Sequence, residues 1–300
     1  MYPDRPGEMR MTDARREAQR IFDTLASEYD RSGVDYFGPV GERLVALVKI
    51  GSGESVLDIG CGRGAVLFHA ARAVGEHGRV VGVDLSTAMV EAVRKEARAS
   101  EMPQVEAMVG EGQSPPFPEQ SFDVVTGGMS VHMLADIPAA LRAYHQVLRP
   151  RGRLGLSAPA TVERPAPEVF GLRSIARFSA AHDAGSGIYP YTEAFGGARR
   201  LRGDLLAAGF EEVEVLEEPA FICTDSAERF LRWTWTHGMR KLWERVSPDE
   251  RRRAERAITT EARARSERTD RIVLRTPVMY VTAVRPALHA TAGPSDRDPA

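Results

Sequence analysis

From Ser55 onward the chain alternates short, β-branched apolar runs with amphipathic helical stretches, and this rhythm restricts the fold more than any other feature. "SVLDIG", "RVVGVDL", "VEAMVGE", "FDVVTGGM" and "GRLGLSAP" read as strands, interspersed with the helical patterns "AVLFHAARAV", "STAMVEAVRKEARAS" and "DIPAALRAYHQVL". Ser86 and Asp136 stand where N-caps belong, and the last of these helices stops before Pro150. Strands that alternate with helices of this length predict a parallel sheet with helices on both faces.

Outside this core the pattern is looser. An N-terminal helical cover is predicted over 1–40, with residues 1–12 loose and a helix from Asp13. The core itself spans 41–159. An insertion over 160–198 is rich in Pro, Gly and aromatic residues, and the core resumes over 199–220 with the helix "RLRGDLLAAGF" and the strand "EEVEVLEEPA". A helical cap over 221–270 leads to a final strand over 271–285, where Pro277 suggests a bulge or a sheet edge, and then to a disordered tail over 286–300.

With 300 residues the chain is long enough for one large α/β domain with additions. A net charge of −2 argues against a polyanion binder. The Arg-rich run from Arg251 to Arg271 is interleaved with Glu250, Glu255, Glu261 and Glu267, and reads as a solvated helix. Cys61 and Cys223 have no CxxC spacing and no His-rich neighbourhood, so neither a metal site nor a disulfide framework is expected. The N-terminus lacks the apolar centre of a signal peptide and no run is long enough to span a bilayer. A cytoplasmic protein with no nucleic-acid or membrane partner is the expectation.

The first strand runs into Gly60, Gly62 and Gly64, at the carboxyl end of the sheet where open α/β folds bind ligands. A phosphate loop would close with Lys and Ser or Thr, and "GCGRGAV" has neither. Gly60, Gly62 and Ala65, with Asp84 at the end of the second strand, also fit a dinucleotide site, so the glycines alone leave the ligand open. Asp58, two residues before the first glycine, repels a pyrophosphate but attracts an ammonium group. The expected ligand carries both a cation and a ribose.

"VLDIGCGRG", "VVGVDLSTAMVEAVR", "GEGQSPPFPEQSFDVV" and "VLRPRGRLGLS" stand in the order of the motifs of class I S-adenosylmethionine-dependent methyltransferases, which the chain resembles over most of Ser55 to Pro159. The resemblance implies an α/β, Rossmann-like fold: a seven-stranded, mostly parallel sheet with an N-terminal helical cover and helical insertions forming a cap. It implies S-adenosylmethionine as cofactor, with no metal. The implied cofactor site comprises Tyr29, Asp58, Gly60, Cys61, Gly62, Gly64, Asp84, Leu85, Met89, Glu111, Gly112, Gln113, Gly128 and Met129. In it Asp58 serves the ammonium, Asp84 the ribose, and the end of the third strand the adenine. Glu111 stands where the family usually has Asp, which shifts weight to the backbone of Gly112 and Gln113.

His132, just after the fourth strand, is the candidate general base, with packing or orienting the acceptor as its other reading. Tyr36, Phe37, Tyr189, Tyr191, Phe230 and Trp233 are expected to line an acceptor pocket, although aromatic residues on the cap helix also suit a core. "GVDYFGPVGERLVALVKI" leading into "CGRGAVLFHAARAVG" resembles polyketide-tailoring methyltransferases, including the group that esterifies aklanonic acid. A small-molecule acceptor methylated on oxygen is implied, in a monomer or homodimer. The alternatives are methylation of carbon on a quinone- or polyketide-like acceptor, and a cofactor-binding cyclase on the same fold.

Overall fold

The computed structural model describes residues 6–160, 196–237, 240–244, 246–266 and 271–287. Five strands, β1 (Ser55–Ile59), β2 (Arg79–Asp84), β3 (Val105–Val109), β4 (Phe122–Gly128) and β5 (Leu148–Pro159), run parallel. β6 (Glu211–Thr224) and β7 (Ile272–Val284) complete a sheet of order β3-β2-β1-β4-β5-β7-β6, in which β7 is antiparallel to both neighbours. β1, β2 and β4 are buried along most of their length, which is why they read as unbroken apolar runs rather than alternating ones.

Two apolar layers enclose the sheet. One joins it to α2 (Phe37–Val48), α3 (Leu67–Val74), α4 (Thr87–Ala99), α7 (Ala227–Thr234), α8 (Arg240–Glu244) and α9 (Pro248–Ser266). The other joins it to α5 (Ile137–Val147) and α6 (Ala198–Ala207). The predicted caps form: Ser86 Oγ accepts from the Met89 N–H at 3.1 Å, and Asp136 Oδ1 from the Ala139 N–H at 2.9 Å. Charged α9 buries Ala254, Ile258 and Ala262, spaced four apart, against the first layer.

Three expectations are corrected. The first helix, α1 (Pro6–Leu25), begins before Asp13, because a proline is compatible with the first turn of a helix, where its missing N–H costs no bond. β6 continues past Ala220 to Thr224, carried by the alternation of buried Ile222 and Thr224 with exposed Phe221. Pro277 sits in an interior strand, opposite Pro219. Its carbonyl accepts from the Ala160 N–H at 3.1 Å, so its nitrogen also faces the β5 side, where that strand has just ended.

The predicted insertion over 160–198 lies largely outside the described residues, as does the tail from 288 onward. Among the described residues no helix is long and apolar enough to cross a membrane, and no cluster of His, Cys, Asp or Glu could hold a metal ion.

Candidate cofactor and acceptor site

Beyond Ile59 the chain turns through Gly60, Gly62 and Gly64, whose φ values are 64°, 50° and 89°. Left-handed backbone favours glycine at all three, but their surroundings differ. A Cβ on Gly60 would lie 2.5 Å from the Ser130 Cβ, and one on Gly64 would lie 2.5 Å from the Phe68 ring. A Cβ on Gly62 would meet nothing within 4 Å. Gly60 and Gly64 are therefore glycines of close packing, whereas Gly62 leaves the backbone open to a ligand.

Asp84 holds this turn from β2. Its Oδ2 accepts from the Gly62 N–H at 2.8 Å and its Oδ1 from the Ser86 N–H at 2.9 Å. Burial raises its carboxyl above the ordinary aspartate value, and these two amide bonds oppose the rise. Asp58, expected to point into the crevice, is enclosed beneath the turn and only 1% exposed. It accepts from Thr126 Oγ1 at 2.8 Å and from the backbone N–H of Leu67. Burial pushes it up to about 7; the Thr126 bond pulls it down and Asp84 pushes it up. Cys61 is buried, and burial with Asp84 and Asp58 nearby lifts its thiol well above the ordinary value, so it packs as an inert filler.

The remaining cofactor candidates follow the strand ends. Leu85 is half-buried, and Met89 is buried in the first turn of α4. Gly112 offers its carbonyl to the Tyr144 hydroxyl at 2.8 Å, and Gln113 Oε1 accepts from the Asp136 N–H at 3.1 Å. Gly128 packs on Val66 so closely that a Cβ would lie 2.4 Å from it. Met129 takes a left-handed φ of 53°, held by its N–H donating to the Ser157 carbonyl at 2.9 Å.

Sequence reasoning passes over the residues that fasten the cover. Arg15 of α1 pairs with Glu111 at 2.6 Å. Asp23 accepts from Ser86 Oγ at 2.6 Å and from the Ala88 N–H at 3.1 Å. Arg63, inside the glycine turn, donates to the Ala26 carbonyl at 3.1 Å and pairs with Glu96 at 3.4 Å. Thus α1 lies across the ends of β2 and β3, the positions expected to meet ribose and adenine. Charged residues on an exposed-looking helix carry no sequence signal for such a role.

On the acceptor side Tyr29 stacks on Phe37 at 5.4 Å, and Phe37 meets Trp233 at 6.3 Å and His237 at 6.2 Å. Tyr36, Phe230 and Trp233 are buried in the core layer, so Phe37 and Tyr29, both half-buried, are the rings with surface to offer. Tyr189 and Tyr191 lie outside the described residues. His132 occupies a 3-10 turn (Val131–Met133) and is 5% exposed; burial pushes it down to about 3. His237, also 5% exposed, packs edge-on to Trp233 at 4.3 Å and is likewise pushed down to about 3 by burial.

Residues 56–152 match the methyltransferase domain family. The chain is also 40% identical over 287 residues to the Nocamycin O-methyltransferase of Saccharothrix syringae, covering 89% of this chain and 98% of that protein. The protein belongs to the class I S-adenosylmethionine-dependent methyltransferases, and S-adenosylmethionine is its cofactor. A second relative, the aklanonic acid methyltransferase DauC of a Streptomyces species, is 43% identical over 145 residues, covering 48% of this chain and 66% of its own. The fold is shared with the YcgJ protein from Bacillus subtilis, at a TM-score of 0.55 and 19% identity over 83% of this chain and 98% of that one.

The cover predicts a kinetic effect. The Arg15–Glu111 pair is about one-third exposed on each side, so it is an ion pair of modest strength. Glu111→Gln is expected to speed S-adenosylmethionine dissociation about two- to fivefold, and the double reversal Arg15→Glu with Glu111→Arg to restore most of the loss. Stopped-flow release rates at low and high salt check this, since salt should speed release in the wild type more than in Glu111→Gln.

Proposed function

We propose that the protein methylates an oxygen of a small-molecule natural product, with a polyketide carboxylate or hydroxyl as acceptor. The observation that carries this reading is the 40% identity to a protein named as an O-methyltransferase, across nearly that protein's whole length. The second relative's name specifies an acid as its substrate. Both favour oxygen over the carbon and cyclase alternatives.

S-adenosylmethionine supplies a methyl group already activated on sulfur, so the chain's task is alignment and the exclusion of water. We assign the Gly62 backbone, with Asp58 beneath it, to the methionine end, and Asp84 to the ribose. Gly112 and Gln113, steadied by Tyr144 and the α5 N-terminus, are assigned to the adenine. Leu85, Met89, Gly128 and Met129 form the surrounding wall, and Tyr29 and Phe37 the boundary with the acceptor.

A base suited to removing a proton near neutral pH has a pKa near that pH. His132 and His237, both pushed down to about 3, are poorly matched to that task. A carboxylate acceptor arrives ionised and needs no base, which favours ester formation. We therefore assign His132, as enclosed as Phe230, to packing behind the acceptor site. His132→Gln is expected to lower kcat by less than about tenfold; a loss of about 10²- to 10⁴-fold, the usual contribution of general base catalysis, would restore the base assignment.

The test is incubation with methyl-labelled S-adenosylmethionine and a panel of polyketides bearing carboxyl, phenol or enol groups. Label released as methanol by mild alkali marks an ester, alkali-stable label on oxygen marks an ether, and label found only on carbon would overturn the proposal. We further propose a cytoplasmic monomer or homodimer without nucleic-acid or membrane partners, in keeping with the net charge of −2.

A further inference from the structure

We infer that Thr126 is a positioning residue of the cofactor site: its hydroxyl anchors the Asp58 carboxylate beneath the glycine turn as the fixed negative charge that receives the cationic methionine end of S-adenosylmethionine. The inference rests on the assignment of the glycine turn to that end of the cofactor.

Thr126 and Asp58 are register partners on adjacent strands β4 and β1, so their side chains leave the sheet side by side. Both are sealed from solvent, at 0% and 1% exposure. The threonine hydroxyl has one proton to give. It lies 2.8 Å from Asp58 Oδ1 and 3.4 Å from the Leu57 carbonyl, and the shorter, charge-assisted bond takes it. The second donor to Asp58 is the Leu67 N–H at the start of α3. The charged group pressing on Asp58 from β2 is Asp84, which repels it, and the turn adds the Cys61 thiol, held protonated by burial.

A carboxylate buried with two donors and a repelling neighbour is balanced between its neutral and charged forms, and burial places that balance at about 7. A nearby ammonium tips it towards the anion; loss of the threonine hydroxyl tips it the other way. The sign of the pH dependence follows. Below about 7 the carboxyl of the free protein is protonated and must release its proton when the cofactor binds, so affinity falls as the pH falls.

The experiment is calorimetric titration of the full chain with S-adenosylmethionine from about pH 5 to about pH 9, in buffers of differing ionisation heat, so that proton release is counted with affinity. The wild type is expected to bind more tightly as the pH rises, levelling off above about 7. Thr126→Val, nearly isosteric, is expected to move that profile upward by about one pH unit, which lowers affinity about fivefold at pH 7 and about tenfold at about pH 6 and below, and restores it in alkali. Thr126→Ser, which keeps the hydroxyl, is expected to retain the wild-type profile. Asp58→Asn is expected to bind weakly at every pH, and tests the same charge if the valine variant does not fold.

A uniform loss of affinity in Thr126→Val with an unmoved pH profile would reduce Thr126 to a packing residue. A wild-type profile in Asp58→Asn would overturn the inference as well. Failure of the wild type to bind at any pH would instead overturn the cofactor assignment on which it rests.

Discussion

Replacing Asp84 with alanine is expected to weaken S-adenosylmethionine binding by more than about a hundredfold, or about 2.7 kcal/mol, while the chain still folds. The expectation combines two losses. Asp84 is the acceptor for the amides of Gly62 and Ser86, so its removal frees the one glycine of the turn that faces open space. It also removes the carboxylate assigned to the ribose, and a hydrogen bond to a charged group is worth about 1.5–3 kcal/mol. Asp84→Asn keeps one oxygen acceptor and is expected to fall between the wild type and the alanine variant. Calorimetric dissociation constants check both; affinity unchanged in Asp84→Ala would mean that the ribose is held elsewhere.

Gly41→Ala is expected to destabilise the fold by about 3 kcal/mol or more, read as a lowered urea midpoint or Tm. Helix propensity alone argues the opposite sign, because alanine in a helix is favoured over glycine by about 1 kcal/mol. Packing decides. Gly41 is buried in α2, and a Cβ there would lie 2.1 Å from the Ala65 carbonyl oxygen and 2.6 Å from its carbon. Those are backbone atoms immediately after the glycine turn and cannot swing aside as a side chain could. The variant is therefore expected to weaken cofactor binding as well, and a stabilised protein would show that the α2 contact is looser than this geometry.

The sheet was legible because its strands follow local rules: buried parallel strands are continuous apolar runs, and Ser86 and Asp136 mark the helix starts by their own chemistry. Pro277 misled because a proline is judged by the ladder bond it cannot make, and whether that bond is missed depends on where β5, the strand its nitrogen faces, ends about 120 residues earlier in the chain. The glycine turn, Asp84 and the end of β3 were legible as a ligand seat, but the division of labour within it was not. Gly60 differs from Gly62 through Ser130, which tertiary packing brings against it, and Gly64 through Phe68, whose ring the local turn into α3 folds back over it.

The same holds for the charged and aromatic residues. Asp58 read as a carboxylate facing the ligand, and its enclosure by Thr126 and α3 appears only once β4 lies beside β1. Glu111, longer than the family's usual aspartate, reaches Arg15 of the cover. Trp233 and Phe230 were read with two outcomes, a pocket wall or a core, since their spacing on α7 suits either; burial places both in the core.

The most direct test of the central claim is titration of the intact chain with S-adenosylmethionine in competition with NAD and with S-adenosylhomocysteine. The geometry of the turn predicts saturable one-to-one binding, displaced by S-adenosylhomocysteine, unaffected by NAD, and lost in Asp84→Ala. Binding of NAD in preference to S-adenosylmethionine, or S-adenosylmethionine binding that survives unchanged in Asp84→Ala, would contradict it.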